Sequence, residues 1–194
     1  MTDVEKVRKL HDLFEKIQAD TNYRNQKMGK VFVPGTGSIR NSPIAFVGEA
    51  PGRQEEEARS PFVGAAGKNL TKLLEHIGLS RDDVFITNVV KYRPLTPNGA
   101  NRSPTSSESR YALPYLLEEL EILSPQLVVC LGLTSAKSLL QDPTLTMSTA
   151  NGMVFSKHQL RILVTYHPSP FNYSVPNKRQ ALFLAFQLMR QSLL

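Results

Sequence analysis

The chain has a single cysteine in 194 residues, Cys130, and it lies inside the apolar run Leu127-Val128-Val129-Cys130-Leu131. A lone buried thiol makes no internal disulfide, and by itself it holds neither a zinc ion nor an iron–sulfur cluster. This points to a reducing compartment and away from cysteine-bound metal. No apolar run approaches the length of a membrane span, and Met1-Thr2-Asp3-Val4-Glu5-Lys6 carries no apolar signal core. The expected location is therefore cytoplasmic, without membrane contact. GxxxxGK[ST] and GxGxxG are both missing, which removes two familiar phosphate cradles. Internal repeats and low-complexity tracts are missing as well.

What remains is ordinary for a globule, with 41% hydrophobic and 21% charged residues. A chain of this length buries a proper core without staples, so a single domain over residues 1–194 is expected. The net charge is +6, with a pI near 9.5. Such a surplus is compatible with a polyanionic partner, because lysine and arginine release counterions condensed on phosphates.

Apolar residues at helical spacing (Val7, Leu10, Leu13, Phe14, Ile17) follow a capping-box pattern from Thr2 to Glu5. Ile44 to Val47 reads as a buried strand. Leu70, Leu73, Leu74 and Ile77 give a second helix, ended by Gly78. Val84 to Val90 is the second strand, and a second capping box, Thr105 to Glu108, opens a helix through Leu123. Pro114 should kink that helix or lie near its first turn. Leu127 to Leu131 is the third strand, followed by a short helix from near Thr134. Ile162 to Thr165 is the fourth, with an edge strand at Met153 to Phe155. Leu182, Ala185, Phe186, Met189 and Leu193 close the chain as an amphipathic helix.

Apolar strands alternating with helices imply an α/β fold, a three-layer α/β/α sandwich around a mainly parallel four-stranded sheet. Ligands of such sheets bind beyond the carboxyl ends of the strands. The unusual segments fall there: Gly48-Glu49-Ala50-Pro51-Gly52, then residues 88–94, then His167-Pro168-Ser169-Pro170. Three loops, 94–106, 141–152 and 167–177, are rich in proline, glycine, serine and asparagine.

Taken singly, each polar residue there has a plain alternative. Glu49 sits on a glycine-flanked turn where a ligand can approach the backbone, or it is simply solvated. Asn88 is disfavoured in an apolar strand, unless it satisfies a loop carbonyl. His167 is structural or catalytic, Phe62 reads as core, and Glu55-Glu56-Glu57 reads as a solvated face.

Together, however, GEAPGRQEEEARSPFVGAAG, NVVKYRP, NRSP and HPSP form an ordered set. It resembles the uracil-DNA glycosylase superfamily, and its family-4 branch most closely, from about residue 43 to residue 190. The resemblance implies hydrolysis of the uracil–deoxyribose bond in DNA, single- or double-stranded, by a monomer. By position, Glu49 matches the acid that serves the water and the cationic sugar, and His167 the imidazole near uracil O2. Phe62 matches the aromatic that stacks on the extruded base, and Asn88 the amide that reads its edge. Ala50, Glu55 and Asn101 match further pocket positions. Lys91, Arg93, Asn101, Arg102, Ser169 and Phe171 are the expected DNA contacts, with Phe171 either a wedge into the duplex or ordinary loop packing.

The sequence departs from the family-4 pattern at the cysteines that usually bind an iron–sulfur cluster. Tyr92 and Ala112 stand at two of those positions, and the N-terminal pair falls around Asp20 and Tyr23. No metal and no cofactor are therefore expected, with Tyr92 and Tyr23 holding the loops by packing. Two other readings remain open: a DNA-binding homologue without activity, and a glycosylase for another base such as hypoxanthine.

Overall fold

The computed structural model describes residues 1–40 and 44–191. Residue 43, where the resemblance begins, and Leu193, named above, lie outside them. Helix α1, Asp3–Ala19, begins at the expected capping box: the Thr2 amide donates to Glu5 (2.7 Å) and the Glu5 amide to Thr2 Oγ1 (3.3 Å). Its buried face is Lys6, Leu10, Leu13 and Ile17, whereas Val7 is 56% exposed. Lys6 takes the inward position because its Nζ donates to the carbonyls of Ile39 and Leu123, each at 3.0 Å.

Strand β1 (Thr36–Gly37) and strand β2 (Ile44–Gly48) precede the short helix α2 (Arg53–Ala58) and helix α3 (Ala65–His76). Strand β3, Val84–Asn88, leads to α4, Ser106–Leu123, which opens on the second capping box and carries Pro114 in its interior. Strand β4 (Leu127–Leu131) is followed by α5 (Leu133–Leu140) and α6 (Met147–Ala150). Strands β5 (Val154–Lys157) and β6 (Leu160–Thr165) then lead to α7 (Pro170–Ser174) and α8 (Pro176–Gln191).

The sheet order is β1-β3-β2-β4-β6-β5. The four apolar strands form the expected parallel centre, and the sheet extends to six because β1 and β5 pair antiparallel at its two edges. Strand β1 is too short to show alternation in the sequence. One core layer places Leu13, Leu116, Leu120 and Leu139 against one face of the sheet, and the other places Leu70, Leu74, Leu182 and Phe186 against the opposite face. Phe46 and Phe186 stack there with ring centroids 5.6 Å apart.

Strand β3 stops at Asn88 rather than at Val90. The Val89 amide donates to Gly48 O (2.9 Å) and the Val90 amide to Glu49 O (3.1 Å), so the chain folds over the end of β2. That turn places the NVVKYRP segment directly on the GEAPG loop. No helix among the described residues is long and apolar enough to cross a membrane.

Candidate active site

Strand β2 ends at Gly48, in register with Asn88 at the end of β3. A Cβ on Gly48 would lie 2.5 Å and 2.6 Å from the Phe62 ring and would also meet the Asn88 side-chain oxygen. Only a glycine lets these two side chains share the end of β2. On the neighbouring strands, a Cβ on Gly132 would stand 3.0 Å from Cβ of His167, and the His167 and Phe62 rings lie 5.7 Å apart. The structure thus brings together Glu49, Phe62, Asn88 and His167, which the sequence separates by more than a hundred residues.

Each group is held from behind. Phe62 has φ of 54°, in the left-handed region that bulky residues avoid. Arg81 secures it by donating to Phe62 O (3.1 Å) and Pro61 O (2.9 Å). The His167 loop is fixed by Asn69, which donates to Pro168 O (3.0 Å), and by Asn172, which donates to His167 O (3.0 Å). Sequence reasoning missed Arg81, Asn69 and Asn172. Only contacts from distant segments reveal them, and no motif carries that signal.

The electrostatics divide the site into distinct groups. Glu49 is half-buried just beyond β2. Burial pushes the His167 imidazole below the ordinary histidine range, against the opposing pull of the Glu49 and Glu55 charges. At neutral pH it is therefore the neutral ring. Asn88 is only 3% exposed, and among the described residues its side-chain amide has no hydrogen-bond partner. Its amide edge is not among the fully buried polar atoms, so it opens into the pocket and suits a ligand that presents a complementary donor and acceptor.

Apart from Phe171, the other expected site residues of these loops take structural positions. Glu55 accepts from the amides of Gly52 (3.2 Å), Val63 (3.0 Å) and Gly64 (2.8 Å), stapling the GEAPG loop to the PFVG loop. Ala50 packs against the core on the α4 side, and Asn101 lies over Gly52. Ser169 caps α7 by accepting from the Asn172 amide. Phe171 is 71% exposed beneath the Lys178 ammonium, 5.0 Å from the ring, so it lies outside the core.

The expectation for Lys91 is corrected. Its side chain is fully buried, with Nζ 2.6 Å from Glu119 and 2.9 Å from Asn88 O, and also bonded to Thr87 Oγ1. Burial pushes the ammonium below the usual lysine range, while Glu119 opposes the shift. An ammonium held on the inner side of β3 cannot meet a phosphate. Arg93 is engaged too, by Glu56 (3.2 Å), Asn101 and Gly99 O. Arg102 forms a forked pair with Glu108 through two 2.7 Å bonds. Burial pushes the Glu108 carboxyl up, but bonds from Arg102, Asn25 and Thr105 overcome this and hold it at about 2.

The four positions that the sequence aligns with cluster cysteines also converge. Tyr23 and Tyr92 meet edge to face at 5.8 Å, and Tyr115 closes on Tyr23 at 5.4 Å. Asp20 accepts from Tyr115 (2.6 Å) and Tyr111 (2.9 Å), and Ala112 is buried in the same core. A carboxylate, phenols and a methyl group offer no thiolate, so this donor set does not fit an iron–sulfur cluster. Aromatic packing and phenol hydrogen bonds tie the end of α1 to α4 instead.

A sequence model of the Uracil DNA glycosylase superfamily matches residues 34–187. The chain is 39% identical over 170 residues to a type-4 uracil-DNA glycosylase of Pyrobaculum aerophilum, covering 84% of this chain and 83% of that protein. It is 40% identical over 171 residues to the type-4 enzyme of Archaeoglobus fulgidus, with the same coverage. A type-5 uracil-DNA glycosylase of Pyrobaculum aerophilum is 33% identical over 156 residues, 72% of this chain.

Proposed function

The chain belongs to the uracil-DNA glycosylase superfamily, and we propose that it hydrolyses the bond between uracil and deoxyribose in DNA, leaving an abasic site. The observation that carries this reading is the open Asn88 amide, buried beside the Phe62 ring and close to a neutral imidazole and a carboxylate.

A base must leave the stack to be cut, and it then needs a pocket with an apolar face and a few polar groups. Phe62 supplies the face. The Asn88 amide accepts from uracil N3–H and donates to O4. Cytosine reverses both groups, and would leave buried polar atoms unpaired.

Cleavage passes through an oxocarbenium-like sugar while negative charge moves onto the base. The Glu49 carboxylate faces that cation and orients the attacking water. At about 4 Å and an effective dielectric near 20, such a charge is worth roughly 4 kcal/mol, on the order of a thousandfold in rate. Neutral His167 donates an N–H toward O2 of the departing uracil, where the negative charge develops.

The test incubates purified protein with oligonucleotides holding U:G, U:A, single-stranded U or hypoxanthine, followed by alkaline cleavage. Strand breaks at uracil are expected. Intact strands for every uracil substrate would overturn the reading, and breaks confined to hypoxanthine would move it to another base.

A further inference from the structure

The three basic residues that the sequence places at the DNA, Lys91, Arg93 and Arg102, are all ion-paired to glutamates. The positive surplus therefore has to act elsewhere. On one flank of the site the described surface holds a groove of about 490 Å³, lined among others by Arg24, Lys30, Phe32, Arg59 and Tyr92. Its cations are exposed, and among the described residues none of the three has an ion-pair or hydrogen-bond partner. No carboxylate lines it.

The groove is fixed relative to the pocket. Gly29 donates to Arg93 O (2.8 Å) and Val33 to Lys91 O (2.9 Å), so the wall carrying Lys30 and Phe32 lies along the NVVKYRP segment. On its other side this wall touches α2: a Cβ on Gly29 would meet the Glu56 carboxylate, with Cδ at 2.8 Å. Arg59 ends α2, a helix of six residues that starts at the GEAPG loop. At 1.5 Å per residue α2 spans about 9 Å, so Arg59 stands one short helix away from the GEAPG loop. The floor includes Phe32, packed against Tyr92 at 5.7 Å.

We infer that this groove binds the deoxyribose–phosphate backbone of the uracil-bearing strand beside the extruded nucleotide. A cationic channel with an aromatic floor is the usual form of a sequence-independent single-strand path. The assignment rests on the glycosylase reading for the identity of the strand. Its charge chemistry stands independently.

The test uses the full chain with Arg24→Ala, Lys30→Ala and Arg59→Ala combined, and a control pair, Arg8→Ala with Lys9→Ala, on the exposed side of α1. Binding to a normal-sequence single-stranded oligonucleotide is measured by fluorescence anisotropy across salt concentrations. Three lost contacts at about 0.7 counterion each lower the salt slope by about 2 units, which at 0.15 M corresponds to roughly 50-fold weaker binding. Cleavage of a long uracil substrate should lose more kcat/KM than cleavage of a trinucleotide, and the control pair should behave as the parent. Equal slopes for the parent and the triple variant would overturn the groove, as would a control pair that loses as much as the triple variant. A parent that binds oligonucleotide without cutting uracil, with slope lost in the triple variant, would sink the glycosylase reading and leave the groove standing.

Discussion

The Lys91 ammonium lies 2.9 Å from the main-chain carbonyl of Asn88, and 2.6 Å from Glu119 on the far side. The residue proposed to read the base is thus braced from inside the protein by a buried ion pair. Lys91→Met leaves the Glu119 charge without its partner in the core, and should cost about 3–5 kcal/mol of stability. Adding Glu119→Leu should restore most of it, because apolar replacement of a whole buried pair is often neutral. Urea denaturation of parent, single and double variants measures both effects. A single variant as stable as the parent would contradict the brace.

Glu49→Gln preserves shape and removes charge. Single-turnover cleavage should fall by about two to three orders of magnitude while DNA binding persists. Rapid-quench cleavage and anisotropy on the same protein separate the two. A parental rate would transfer the role to another acid.

His167 is held below the 6.5 of a free imidazole by burial. The unfolded chain therefore binds this proton more readily than the folded one. Stability from this group is fully present above about pH 6.5 and is lost as pH falls from there through the folded value. The same protonation removes the neutral ring, so the acid limb of cleavage should have its midpoint below pH 6.5. Stability and rate profiles from pH 4.5 to 8 test this, with His167→Asn flattening that part of both. An acid limb centred above 6.5 would refute the assignment.

Phe171 is exposed on α7, four residues after His167, and as a wedge it would fill the gap left by an extruded base. Unstacking a paired base costs a few kcal/mol, less for a single strand. Phe171→Ala should slow cleavage of U:A far more than of single-stranded uracil, with the melting temperature almost unchanged. Equal slowing on both substrates would exclude the wedge.

Much of this arrangement was legible because its signals are local. Two capping boxes mark the starts of α1 and α4 within four residues each, and four apolar runs mark the parallel centre of the sheet. Asn88 stood out as a polar residue among apolar neighbours. Burial of a cation is not local. Lys91 looks like a surface lysine until Glu119, 28 residues later, comes to face it. Helical periodicity placed Val7 inside, but two distant carbonyls draw Lys6 there instead. Strand β1 has two residues and no pattern to read, and Arg81 holds Phe62 through main-chain oxygens that no motif encodes.

The junction of Asp20 with Tyr23, Tyr92, Tyr111 and Tyr115 bears on how the protein fares in the cell. Its cohesion comes from ring contacts and phenol hydrogen bonds, with no thiolate among the groups that meet there. The single thiol, Cys130, sits inside β4, where burial pushes its pKa up to about 12 and leaves almost no thiolate to oxidise. The fold thus offers oxidants no exposed thiol, and the junction that the sequence aligns with cluster cysteines is held together by rings and phenols.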